Sequence, residues 1–485
     1  SGFIMHCAQV GEKTLDNFII KFYSISSLED IKVIHSMNKK LLMGILILLG
    51  LGSCTIDTAE VKQLFIDQML EEELLSVSDG KGLAYFILPD SDDYANIPQD
   101  EKNEISYSKV YLGRLLFHET GLGINPKLEV GMGTYSCASC HHAGAGFQAS
   151  RKQGIGDGGM GFGLNGEGRT MHPDYEENQL DVQPIRSPSA LNVAYQKLML
   201  WNGQFGATDQ NIGTEAQWTE NTPKAINKLG YEGVETQAIA GLGVHRIIIN
   251  DSIIEALGYK HLFDHAFGDF PDHSRYSTET AGLAIAAYER TLLANQAPFQ
   301  QWLKGNTLAM SEEQKSGALL FFGKAKCGTC HQGPALNDMN FYAFGMKDLE
   351  GEDVHGVTEA GLTEAAMGRG GFTKVNTDMY KFKTPQLYNL ADSPFYGHGG
   401  SFQSVRAVVD YKNKGIAENA DVPNAKLDPY FVPLGLSDEE VDAITSFIRE
   451  GLYDPYLVRF IPESLFSEQC FPNNDMQSKI DLNCQ

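Results

Sequence analysis

Two five-residue stretches, Cys137-Ala-Ser-Cys140-His141 and Cys327-Gly-Thr-Cys330-His331, share the pattern CxxCH. Two thiols three positions apart can each bond one vinyl group of a single porphyrin. The His that follows can bring an imidazole nitrogen to the iron from one side. The pattern therefore predicts two covalently bound c-type haems, one on Cys137 and Cys140 and one on Cys327 and Cys330, with His141 and His331 as iron ligands. A redox dithiol or half of a zinc site fits less well, because no second thiol pair or His pair completes a tetrahedral set.

The elements that must position these motifs are mostly helical. Leu112 to His118 leads into the first motif. Ser311-Glu-Glu-Gln314 reads as a capping box that opens a helix with Leu319 and Phe322 on its apolar face, stopped by Gly323 just before Cys327. Helical patterns also cover 281–293 and 403–413, and Ser437 to Glu440 caps a helix that Gly451 ends. Residues 55–78 read as a charged helix with Val61, Phe65, Met69 and Leu70 on one face. Between Gly154 and Gly168 there are eight glycines, a density that predicts a long irregular loop over the first haem. Few runs alternate as strands do. The expected class is mainly α, with two cytochrome c-like haem domains and long loops. The first spans 79–297 and the second 298–451, after a spacer helix at 54–78 and before a tail at 452–485.

The start of the chain carries a different signal. Lys39 and Lys40 precede an apolar run from Leu41 to Leu51, too short to span a bilayer. Leu51-Gly-Ser-Cys54 then resembles the bacterial lipobox. Residues 37–53 are expected to be a signal peptide, residues 1–36 a mis-called upstream segment, and Cys54 the site of lipidation. The expected location is the periplasm or the outer-membrane surface, held by lipid. Cys470 and Cys484 remain as a pair that could bridge in an oxidising compartment. The net charge of −24 argues against nucleic acid and is compatible with a basic redox partner.

From Leu112 to Gly451 the chain resembles the bacterial dihaem cytochrome c peroxidase family, which includes MauG-type enzymes. The resemblance rests on Leu112-Gly-Arg-Leu-Leu-Phe117, Ser187-Pro188, Trp201-Asn-Gly203, Pro298 to Gly305, Phe344-Gly345, Phe382-Lys-Thr-Pro385 and His398-Gly-Gly-Ser401. It implies that the first haem meets peroxide, that the second relays electrons, and that Trp201 is the indole between them. It also implies a small electron-donor protein, a cytochrome c or a cupredoxin, and often a homodimer. The family's inter-haem calcium takes an Asn where this chain has Arg186, so calcium is kept only as an alternative.

The far sides of the two irons are where the chain departs from that pattern. Gln237 matches the family, but the position of its distal Glu reads as Ile247, or as Arg246 or His245 if a small gap is allowed. His245 and Arg246 are the substitute, a proton shuttle and a cation for the departing oxygen, with a propionate partner or an iron ligand as other readings of the pair. The loop 154–168 contains no His, and His172, Met160 and Met171 are the remaining nearby candidates, so the first iron is expected open or water-bound. For the second iron the resemblance points to the helix after Ser401. There Val405, Val408, Val409 and Lys412 share a face, making Lys412 the leading ligand, with Tyr411, Met346 and Met379 as alternatives. Three functions follow: a peroxidase that reduces hydrogen peroxide to water, a MauG-type oxidase of a protein or organic substrate, and a dihaem electron carrier.

Overall fold

The computed structural model describes residues 58–484, and side chains from 65 onward. Residues 1–36, the apolar run at 37–53 and Cys54 lie outside them. Contacts divide the chain into Ser1–Lys62 and Gln63–Gln485. The fold is mostly helical. Its sheet consists of two-residue hairpins and isolated bridges among the described residues. No helix among those residues is long and apolar enough to cross a membrane.

Helix α1 (Thr58–Val77) buries Leu70 and Leu74. Phe65 and Met69 are 60% and 37% exposed, so the face expected from sequence is rotated. Asp67 sets the rotation. Its Oδ1 accepts from the Trp302 indole at 2.7 Å and pairs with the Lys315 ammonium at 2.5 Å, both buried. A buried charge must be paired, and that requirement outweighs the exposure of one Phe.

Helix α2 (Tyr107–His118) ends shortly before the first motif. Helix α4 (Thr278–Arg290) packs on it, and helix α3 (Gly233–Val244) packs on α4. Helix α5 (Glu312–Phe322) precedes the second motif, with the Ser311–Gln314 capping box formed as read from sequence. Helix α6 (Val405–Lys414) and helix α7 (Asp438–Ser446), the latter opened by the Ser437–Glu440 box, complete that half. A short helix α8 (Met476–Asp481) lies in the tail.

The two halves repeat one plan. At Gly113 on α2, a Cβ would stand 1.9 Å from the Ala284 carbonyl oxygen of α4. At Gly317 on α5, it would stand 1.9 Å from the Ala443 carbonyl oxygen of α7. In both halves, therefore, the helix before CxxCH crosses a later helix at van der Waals contact of backbones, which only glycine allows. Asn192 and Asn389 both adopt the left-handed region, with φ of 57° and 54°. The bridge Met199↔Phe205 has its counterpart in Tyr396↔Phe402 at the same spacing from those asparagines, which makes Trp201 and His398 equivalent positions.

Two apolar cores follow the two halves. One holds Leu112, Leu116, Val234, Leu283 and Tyr288, the other Phe299, Phe321, Phe322, Val441 and Phe447. The ends of the chain cross over. Leu70 to Ile105 feed the second core, and Leu457, Phe460 and Leu465 feed the first.

Candidate functional site

Each motif forms a single 3-10 turn, Cys137–Ser139 and Cys327–Thr329, and delivers its His in the same way. His141 Nδ1 lies 3.2 Å from the Phe147 carbonyl oxygen, and His331 Nδ1 lies 2.8 Å from that of Leu336. Pro188 and Pro385, equivalent in the repeat, supply further carbonyl contacts to the two rings. A carbonyl only accepts, so Nδ1 carries the proton and Nε2 keeps its lone pair. Burial pushes both imidazoles down to about 4, which keeps them neutral. A neutral imidazole with Nδ1 tied to backbone is the donor that iron requires. All four motif cysteines are free of disulfides.

Next to the second motif lies a mainly apolar cavity. Its lining includes Cys330, His331, Trp201, His398, Val405, Val408, Val409 and Lys412, and it reaches back to Pro188 near His141. Arg186, Lys383 and Lys412 also line it, and none of the three forms an ion pair with a carboxylate among the described residues. Burial lowers Lys383 and Lys412 to about 7 and Arg186 to about 10. Arg186 and Lys383 are buried without an anion, which is costly, and a porphyrin's two propionates would supply the missing charge. The donor set, the apolar walls and the charge together fit a haem.

Calcium does not fit. The Arg186 guanidinium is buried at the position in question and donates to the Arg151 and Ala149 carbonyls, Gln148 Oε1 and Ser393 Oγ. A fixed cation that takes up the local oxygens leaves no place for a second one.

The residues expected on the far side of the first iron stand at the end of α3. A Cβ on Gly241 would touch Gln237 Nε2 at 3.6 Å and His245 Cδ2 at 3.9 Å, so Gln237 and His245 flank one open face of the helix. His245 Nδ1 is 2.8 Å from Asp181 Oδ2, and its charge is felt at His141. Its side chain is 38% accessible. Burial pulls the His245 pKa down, but the charge and hydrogen bond of Asp181 pull it up by more, and the net shift is upward. Arg246 adopts a left-handed φ of 57° and is held by Asp157, with Nη2 to Oδ2 at 2.8 Å. Asp157 also accepts from the Tyr175 hydroxyl at 2.6 Å and the Lys127 N–H at 2.7 Å. Arg246 is thus committed to a structural pair, while His245 leaves Nε2 without a partner among the described residues.

Asp157 and Asp181 were not legible as site residues. They belong to the glycine-rich segment and its exit, and their backbones bond each other at 2.9 Å. The segment is less irregular than its composition predicts: β1 (Gly159–Met160) pairs with β2 (Thr170–Met171). The only advance signal was an acid set among glycines. The tail adds a clamp. Asp475 Oδ1 accepts from Gly161 N–H, Asp481 Oδ2 accepts from Phe162 and Gly163, and Cys470 and Cys484 form a disulfide. Ser136 beside the first motif donates to the Pro472 carbonyl at 2.9 Å.

Trp201 lines the cavity beside the second motif. Its Nε1 donates to the Arg186 carbonyl at 2.8 Å, two residues before Pro188, and its ring meets His398 edge-on at 6.3 Å. His398 stacks on Phe382 of β4 (Phe382–Lys383, paired with β3 Phe341–Tyr342) and bonds Asp348 through Nε2 at 3.0 Å. The segment between Trp201 and Gln237 braces this region. Arg369 donates to the carbonyls of Asn202, Gly203 and Gln210, and Gln210 reaches the Met339 carbonyl.

On α6, Lys412 faces the cavity, with its amine 3.1 Å from the centre of the Phe344 ring. Tyr411 points elsewhere: its hydroxyl donates to the Phe344 carbonyl at 2.5 Å, and its ring packs on Phe402 and Phe431. Met346 lines the cavity, and Met379 packs by Gly370 instead.

Comparison with known proteins agrees with this geometry. Residues 107–308 match the model of the di-haem cytochrome c peroxidase family. The chain is 30% identical over 373 residues to cytochrome-c peroxidase IdrP1 of Denitromonas iodatirespirans, covering 73% of this chain and 84% of that protein. It is 29% identical over 327 residues to the methylamine utilization protein MauG of Methylorubrum extorquens, covering 66% and 72%. Among solved structures, a MauG-like protein associated with microbial copper homeostasis superposes with a TM-score of 0.54 at 24% identity, over 79% of this chain and 98% of that one, which speaks for the fold. The chain belongs to the di-haem cytochrome c peroxidase family and is an oxidoreductase of the peroxidase type, a family that implies two c-type haems.

Proposed function

We propose that this protein reduces hydrogen peroxide to water at the first motif, with electrons from a small donor protein entering at the second and passing Trp201. The observation that carries the reading is the His245–Asp181 pair, which flanks the first motif. Peroxide reduction takes two electrons and two protons, and the proton must move from the inner to the outer oxygen. Asp181 fixes the His245 ring through Nδ1, so Nε2 is the atom that accepts and returns the proton. Gln237, across the gap at Gly241, offers an amide to orient the incoming oxygen. A haem on Cys137, Cys140 and His141 would supply the iron at which the O–O bond breaks, and thioether bonds at all four motif cysteines fit their free thiols. The second motif is closed by Phe344 and α6 and suits a relay; the chain halves around the two motifs would then be two cytochrome c-like haem domains.

Export to the periplasm with a lipid on Cys54 belongs to the same reading. The Cys470–Cys484 disulfide supports an oxidising compartment. A MauG-type oxidase is the second reading, favoured by Ile247 where the family's distal Glu is expected. Steady-state turnover of peroxide with a reduced small cytochrome c decides between them. Sustained, donor-dependent consumption supports the peroxidase. A long-lived oxidised state with slow turnover supports the oxidase, and no reaction of the first site with peroxide leaves an electron carrier.

A further inference from the structure

We propose that the Lys412 amine is the second axial ligand of the iron held by His331. The inference rests on the two-haem reading. Three cationic side chains line the cavity beside the second motif, and they are not equivalent. Arg186 donates to four oxygens. Lys383 Nζ donates to the Leu198 carbonyl at 2.6 Å and to Gln196 Oε1. Both are supplied with oxygen acceptors. Lys412 has no oxygen acceptor among the described residues; its amine stands over Phe344 and 5.6 Å from the Phe431 ring. Lys412 lines the same cavity as Cys330 and His331, which places it beside the second motif.

The helix register leads to the same residue. Val405, Val408, Val409 and Lys412 all line the cavity, so the amine is the one donor on an otherwise aliphatic face of α6. Tyr411, one residue earlier, is turned away and its hydroxyl is engaged. Met346 lines the cavity from another segment and is the competing donor. Ligation would require the ammonium to pass its proton to solvent first; the neutral amine's lone pair would then form the N–Fe bond, displacing any water held there. An amine is a stronger donor than a thioether towards ferric iron. This relay haem would therefore be low-spin, with a lower potential than a methionine-ligated one.

The test is spectroscopic and uses the full haem-loaded protein. Haem content per chain by pyridine haemochrome comes first; fewer than two haems overturns the two-haem reading itself. With two present, pulsed paramagnetic resonance is recorded on protein carrying ¹⁵N-lysine. A lysine nitrogen coupled to one low-spin ferric centre is expected, and no change on labelling overturns the proposal. In K412M the sulfur-to-iron charge-transfer band is expected to appear, and in K412A that haem is expected to lose its low-spin signal and bind added imidazole. A sulfur-to-iron band already present in the wild type would assign Met346 and overturn Lys412.

Discussion

At the residue scale, function turns on which groups have partners. His245 is bound by Asp181, so its charged form is favoured and its pKa is raised. A proton acceptor must be neutral, so peroxide turnover should rise with pH through this raised value. In D181N the opposing desolvation is left, and the acid limb of the kcat/KM profile should move to lower pH. H245A should lose about 10²–10⁴-fold in turnover, the usual worth of a positioned acid or base. The first haem's spin state should stay unchanged in that variant; a change would mean that His245 binds the iron. The pair also links stability to pH. Its contribution is full below the unfolded His value and fades as pH rises through the raised folded value, a small effect at a partly accessible site.

Elements position these residues through close crossings and clamps. Gly113 and Gly317 let α2 and α5 touch the backbones of α4 and α7, and a methyl at either would meet a carbonyl oxygen at 1.9 Å. G113A and G317A should each destabilise by about 1–3 kcal/mol or more, read as a lower midpoint in denaturant unfolding, because overpacking here can be relieved only by separating two helices. The tail clamps the glycine-rich segment through Asp475 and Asp481, and its disulfide closes a loop of 14 residues. C470S with C484S should cost about 2–4 kcal/mol and make residues 154–168 the first site of limited proteolysis. Capping boxes at Ser311 and Ser437 were legible in sequence because they are local. The face of α1 was not, because Asp67 answers to Lys315 and Trp302 far along the chain.

For the whole molecule, the net charge of −24 bears on the donor. A basic cytochrome should be oxidised faster than an acidic one, and its kcat/KM should fall as ionic strength rises and the Debye length shortens towards about 8 Å at physiological salt. Turnover measured across a salt series checks this, and an acidic donor preferred at low salt would refute it. The repeat of two halves brings Trp201 and His398 to equivalent places, where they meet at 6.3 Å. One indole can therefore touch the surroundings of both motifs, and the segment after it is braced by Arg369.

The sequence alone determined the two CxxCH motifs, the helices before them and the relation of Lys412 to a valine face. These are local features: a fixed spacing, a cap, a helical period. Only the tertiary structure supplied Asp181 and Asp157, which lie 64 and 89 residues from the side chains they hold. It also separated Lys412 from Tyr411, since only packing shows that one hydroxyl has an acceptor and one amine has none among the described residues. Partners of buried charges are chosen by three-dimensional proximity, and no period along the chain encodes them.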